Sequence, residues 1–162
     1  MHKRYLYLPV LFLLSATGIS ARDSKRVPPG GAPPPGSGDI EVRGPVRVID
    51  GNTLEVRING QQVGIGILGV NAPQLNTPCG RDSRSLLENI LKLGALRLEE
   101  DTSQAFDERK RRMYNPTVVG RSLALELAKA GVARINGRGK LLAELLRAEA
   151  EARTARRGCL WR

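Results

Sequence analysis

An α+β fold, with a small β-barrel first and packed helices after it, is what this sequence predicts. Three observations carry that expectation. Residues 54–67 alternate apolar side chains with polar ones or glycine, the two-residue period of a strand. Asp50-Gly51 and Asn59-Gly60 stand where the strands of a meander must reverse. From Leu86 onward, leucines recur at helical spacing instead.

The elements follow in order. The stretch EVRGPVRVID (41–50) is a first strand closed by the Asp-Gly turn. TLEVRI (53–58) sets Leu54, Val56 and Ile58 against Glu55 and Arg57. QVGIGILGV (62–70) sets Val63, Ile65 and Ile67 against Gln62, Gly64 and Gly66; its glycines suit bends or a close backbone approach, as in a small barrel. DSRSLLENILKLG (82–94) is a first helix with a Leu86, Leu87, Ile90, Leu91 face, ending near Gly94. LRLEE (96–100) alternates and is a fourth strand. Met113 to Val119 supplies a fifth, and Pro116 within it predicts an edge, a bulge or a short strand. SLALELAKAG (122–131) is a second helix, with Ser122 to cap it and Gly131 to stop it. KLLAELLRAEAEARTARRG (140–158) is a third, its Leu141, Leu142, Leu145, Leu146 and Ala152 on one face. The leucine stripes are core faces and imply no cofactor.

Ahead of this domain the composition changes twice. His2, Lys3 and Arg4 precede an apolar run from Tyr5 to Leu14, and then small residues to Ala21. That is the order of a secretory signal peptide over residues 1–21, with a run too short to span a bilayer comfortably. Secreted or periplasmic placement, with no stable membrane insertion once the signal is removed, is the expectation. Residues 22–39, rich in proline and glycine, are expected to be a disordered tether, so the folded domain is expected to occupy 40–162. The chain carries 26 Lys+Arg against 16 Asp+Glu. An exported domain of that charge suits polyanions: nucleic acid, anionic lipid or an anionic cell-surface polymer. Its two cysteines, Cys79 and Cys159, allow one intramolecular bridge, which an oxidising compartment favours. Neither has a neighbouring histidine, so a catalytic thiol is not expected.

Four segments carry a resemblance: VIDGNTLEV (48–56), LGVNAP (68–73), LALELAKAGVAR (123–134) and AEAEARTARRGCLW (148–161). In this order the chain resembles the staphylococcal nuclease-like (thermonuclease) family. The resemblance implies an OB-type five-stranded barrel with three packed helices. It also implies a Ca²⁺-dependent nuclease wherever the family's site is intact. Such a site needs carboxylates for a hard cation, a glutamate to position or deprotonate water, and two arginines to clamp the phosphate.

Carried over residue by residue, the pattern departs from that need. The metal positions fall on Asn52 and Asn71, and the general-base position on Gln74. One arginine position falls on Gly66 and the other on Arg111, with Arg109 or Arg112 as alternatives if the register slips. Asp50 and Thr53 of the turn are retained, and Asp50 remains a possible metal ligand. Amides offer Ca²⁺ a carbonyl oxygen without charge, and Gln74 has no basic lone pair near neutral pH. The resemblance therefore implies a degenerate site, with no cofactor unless activity persists, in which case Ca²⁺. Arg109, Lys110, Arg111 and Arg112 should lie beside the cleft as a patch for nucleic acid or another polyanion, on a monomer. The bridge between Cys79 and Cys159 would tie the start of the first helix to the Gly-X-X-Trp end of the chain. Two other functions compete. One is an active nuclease with a rearranged site using Asp50, Asp82 or Asp107. The other is a structural or protein-interaction module on a proline-rich tether.

Overall fold

The computed structural model describes residues 31–162; the expected signal peptide and residues 22–30 of the expected tether lie outside the described residues. The fold is α+β and OB-like, a mixed sheet with helices packed on it. Strands β1 (Ile40–Glu41), β2 (Arg47–Asp50), β3 (Thr53–Ile58) and β4 (Gln61–Ile67) are followed by the short β5 (Val70–Asn71). Helix α1 (Pro78–Leu91), strand β6 (Leu96–Glu99), strand β7 (Arg112–Val118) and the two-residue β8 (Arg121–Ser122) come next. Helix α2 (Leu123–Lys129), strand β9 (Arg134–Ile135), helix α3 (Leu142–Thr154) and the single turn α4 (Gly158–Trp161) complete the chain.

The main sheet runs β1-β6-β7-β4-β3-β2, with β8 paired to β7 and β5 paired separately to β9. This pairing is an open path, and among the described residues it does not close into the ring that a five-stranded barrel would form. The β3–β4 hairpin turns at Asn59 (φ 50°) and Gly60 (φ 80°), where a two-residue turn needs positive φ at both central positions. The period-two pattern is met: Leu54, Val56, Ile58, Val63, Ile65 and Ile67 all face the core. They meet Leu87 and Ile90 of α1, Leu123 and Leu127 of α2, and Leu145 of α3.

Three expectations are corrected. Helix α1 begins at Pro78, one turn earlier than the leucine spacing suggests. Thr77 caps it, its hydroxyl accepting from Gly80 N at 3.0 Å, and Pro78 occupies the first turn, where its missing N–H is no loss. Strand β7 is seven residues long and lies inside the sheet, neither short nor at an edge. Pro116 is tolerated because the parallel β4 ladder ends at Tyr114, two residues before it.

The third correction concerns the tether. Residues 31–39 are laid against the domain. Gly36 N and Gly38 N donate to the Glu100 carboxylate at 2.8 and 2.9 Å. Asp39 accepts from Glu100 N and pairs with Arg97, both at 2.9 Å. Ala32 packs on the core. Composition denies this segment a core of its own, but Glu100 supplies acceptors for its amides. Cys79 and Cys159 form a disulfide spanning 80 residues of sequence, which ties the start of α1 to α4. Among the described residues no helix is long and apolar enough to cross a membrane.

Candidate functional site

A cavity of about 430 Å³ opens where the β2–β3 turn, the end of β4, the loop before β7 and the segment after β9 meet. Asp50, Asn52, Thr53, Asn71, Phe106, Asp107, Glu108, Arg109, Arg111, Met113, Asn136 and Arg138 line it. The positions carried over as Asn52, Asn71, Asp50, Arg111 and Arg109 therefore converge. Gln74, Lys110 and Arg112 do not line this cavity.

The turn wall is held by its own amides. Asp50 Oδ1 accepts from Asn52 N at 2.9 Å, the bond of an aspartate turn. Asn52 Nδ2 donates to Val70 O at 3.2 Å, so the amide braces β5 against the turn. Asn71 Oδ1 accepts from Asn136 Nδ2 at 3.4 Å. An ionised aspartate at position 52 could not make the donation to Val70 O, because a carboxylate only accepts.

The opposite wall keeps its charge. Asp107 organises the loop before β7: its Oδ1 accepts from Arg109 N at 3.0 Å and Arg111 N at 2.8 Å, and its Oδ2 takes Arg111 Nε at 3.0 Å. Burial alone would raise the Asp107 carboxyl; the Arg111 amide and charge outweigh it and hold the group below its ordinary value. Arg111 Nη1 also donates to Thr53 Oγ1 across the cavity. Arg111 is thus aimed at the cleft and anchored at both ends, an arrangement suited to holding a phosphate oxygen.

Gly66 explains where the second arginine position went. A Cβ there would collide with Met113 Sδ and lie 3.0 Å from Arg111 Cζ. Met113, buried on β7 directly opposite Gly66, fills the space a side chain would use. Gln74 is exposed, and its backbone carbonyl does the structural work, accepting from Thr77 N at 3.0 Å and Thr77 Oγ1 at 2.7 Å before α1. Lys110 is exposed at the tip of the loop, with φ 58°.

Arg112 departs furthest from expectation. It is buried, with Nη2 on Glu100 Oε1 at 2.6 Å, Nη1 on Ala105 O at 3.1 Å and Nε on Pro33 O at 3.0 Å. Its guanidinium also lies over the Phe106 and Tyr114 rings, at 5.3 and 4.8 Å from their centroids. Arg112 opens β7, whereas Arg111 still belongs to the loop that Asp107 organises, and the two side chains part there. With its donors engaged inside the domain, it belongs to the core, not the surface patch.

Among the described residues no three Asp, Glu, His or Cys groups lie together as a metal site requires. Asp107 and Glu108 already pair with Arg111 and Arg138, and Asp82 is exposed on α1, away from the cavity lining.

The staphylococcal nuclease homologue family model matches residues 64–162. The chain belongs to that family. Membership points to nucleic-acid binding or a nuclease-related function. No curated protein matches the chain. Within this family member, sequence reasoning missed Phe106, Glu108, Asn136 and Arg138 as cavity walls. The one signal available was Asn136-Gly137-Arg138-Gly139, a turn-rich stretch directly after β9; Asn136 Oδ1 accepts from Arg138 N at 3.2 Å.

Proposed function

We propose that this exported nuclease-family domain binds nucleic acid through its cavity and does not hydrolyse it efficiently, with no need for calcium. The observation that carries this reading is the asymmetry of the cavity walls. Arg111 is anchored by Asp107 and Thr53 in a pose suited to a phosphate. The amides at positions 52 and 71 are tied into the protein's own hydrogen bonds.

The chemistry agrees. In-line attack on a phosphodiester needs an activated water and a counter-charge for the developing oxyanion. Arg111 supplies part of the counter-charge. Gln74 is exposed and has no basic lone pair, and Gly66 offers no second clamp. Losing one such group commonly lowers catalysis by a factor of ~10² or more. Several losses in one site leave little of the mechanism, although they do not simply add.

The test is incubation of the mature protein with single-stranded DNA and millimolar Ca²⁺, beside a retention assay across salt. The expected result is salt-sensitive retention without calcium-dependent cleavage. Cleavage that chelator and Asp50→Ala both abolish would replace this reading with that of an active nuclease using a rearranged site. Absence of retention would leave the structural or protein-interaction reading.

A further inference from the structure

The cavity is not where the protein's surplus positive charge resides. Its three guanidiniums, Arg109, Arg111 and Arg138, face three carboxylates, Asp50, Asp107 and Glu108. Elsewhere Arg47, Arg84, Arg97, Arg112 and Arg121 each meet a carboxylate, and the exposed Arg43, Arg57 and Arg81, which do not, are scattered along the chain. The C-terminal part differs. Arg134, Arg147, Arg153, Arg156 and Arg157 are all exposed, and none makes an ion pair among the described residues.

Two of these arginines are ordered by one ring. Arg134 Cζ lies 4.6 Å from the Trp161 ring centroid, and Arg153 Cζ lies 5.6 Å from it. Trp161 is itself fixed: Leu160 N donates to Gly131 O at 3.1 Å, and the Cys79–Cys159 disulfide holds the same turn. An aromatic ring that orders guanidiniums lowers the entropy they lose on meeting a phosphate, while their N–H edges stay available. The nearby Glu149 does not neutralise them by ion pairing; its carboxylate accepts from Ile135 N at 3.1 Å.

The ring and the cavity are joined. Arg134 is the register partner of Asn71 in the β5–β9 pair, and Asn71 is a cavity wall bonded to Asn136. Phe106, another cavity wall, is 47 % exposed, with the Arg112 guanidinium against its ring. A track can thus be followed from the cavity walls Phe106, Arg111 and Asn71 to Arg134, the strand partner of Asn71, and on to Arg153 across Trp161, with its unpaired positive charge at the Trp161 end.

We infer that this track is a binding surface for single-stranded nucleic acid, with Arg134 and Arg153 flanking Trp161 as a second phosphate-contacting subsite beyond the cavity. The inference rests on the proposed phosphate-binding reading of the cavity. Single strands suit it because an exposed aromatic plus tracked backbone charge is how OB-type domains hold them, at roughly 4–16 nucleotides per domain. A membrane surface suits it less, since Leu146 is the one exposed large apolar side chain on α3 among the described residues.

Fluorescence anisotropy with labelled oligothymidylates tests it, using a trinucleotide and a dodecanucleotide between ~50 and ~200 mM salt. In the paired variant Arg134→Ala with Arg153→Ala, dodecanucleotide affinity should fall about tenfold at the lower salt. The slope of log K against log salt should drop by about 1.4, the value for a single strand with two fewer phosphates neutralised. Trinucleotide binding should be unchanged. Arg134→Lys with Arg153→Lys should keep most of the slope. Should the paired alanine variant melt early, Arg153→Glu alone, at an exposed helix end, should still weaken the dodecanucleotide selectively. If the alanine pair binds the dodecanucleotide like the parent while Arg111→Ala weakens both oligomers, the track is overturned and the cavity reading stands. If the parent binds neither oligomer, the cavity reading falls and takes the track with it. Loss of binding to phosphatidylserine vesicles in the alanine pair, with the dodecanucleotide unaffected, overturns it in favour of a membrane surface.

Discussion

Arg111 faces the cavity with 26 % of its side chain exposed, held by Asp107 and Thr53. Arg112, the next residue, is 4 % exposed and enclosed by Glu100, two backbone carbonyls and two aromatic rings. The residue type is the same and the chain position differs by one. Their environments set one against the cavity and seal the other in the core. The difference teaches that a run of basic residues is not one patch: Arg111 ends the loop that Asp107 organises, and Arg112 opens β7 with its side chain buried. What meets them there decides whether their donors are spent within the protein or left for a ligand.

The largest expected effect tests the inner arginine. Arg112→Ala strands the Glu100 carboxylate, its side chain 5 % exposed, beside an emptied guanidinium site. Removing one partner of a buried pair typically destabilises by ~3–5 kcal/mol. Thermal unfolding should show a fall of many degrees, and the folded fraction should still bind single-stranded DNA. Loss of binding with unchanged melting would reverse the roles assigned to the two arginines.

Next comes the seat between them. Gly66→Ala presses a methyl into Met113 and Arg111. Overpacking of this kind costs about 1–3 kcal/mol. In a double-mutant cycle, Gly66→Ala should cost less in a Met113→Ala background than it does alone, because the obstacle is gone. An equal cost in both backgrounds would mean that Met113 is not what keeps the position side-chain-free.

The outer arginine should show the complementary profile. Arg111→Ala should weaken nucleic-acid binding about tenfold, equivalent to ~1.4 kcal/mol, the scale of a charge-assisted hydrogen bond. Its effect on melting should stay within ~1 kcal/mol, because Asp107 keeps its bonds to the loop amides.

The smallest effect is a pH dependence. Burial would raise the Glu100 carboxyl, but the bond and charge of Arg112 and the amides of Gly36 and Gly38 hold it below its ordinary 4.5. A depressed folded value means stability that is complete above the unfolded value and lost as pH falls through the folded one. Stability should therefore drop on acidification below about pH 4.5, and Glu100→Gln should give a shallower acid limb. Chemical unfolding at a series of pH values reads this directly; an equally steep limb in the variant would remove Glu100 from the account.

Much of the fold was legible because its information is local. Period-two alternation marked β3 and β4, Asn59-Gly60 marked their turn, and Ser122 and Gly131 marked the ends of the α2 region. Asn52, Asn71 and Arg111 were legible as motif positions because short segments carry them, and the structure brings all three to one cavity. Where local signals compete, the pattern misleads. Thr77-Pro78 is a start signal overshadowed by the later leucines, and Pro116 suggests an edge although its neighbouring ladder simply ends before it.

The sequence by itself determined the strand and helix periods, the turn chemistry, the surplus of positive charge and the amides at the acid positions. Each is a property of a residue and its near neighbours, so no partner across the fold is needed to read it. Tertiary structure alone decided which arginines are spent and which are free. It laid residues 31–39 on Glu100, buried Arg112, and brought Asn136 and Arg138 to the cavity from beyond β9. It also set Arg134 and Arg153 on one tryptophan. Those outcomes depend on groups far apart in the chain meeting at hydrogen-bond and stacking distances, and no local pattern encodes such a meeting.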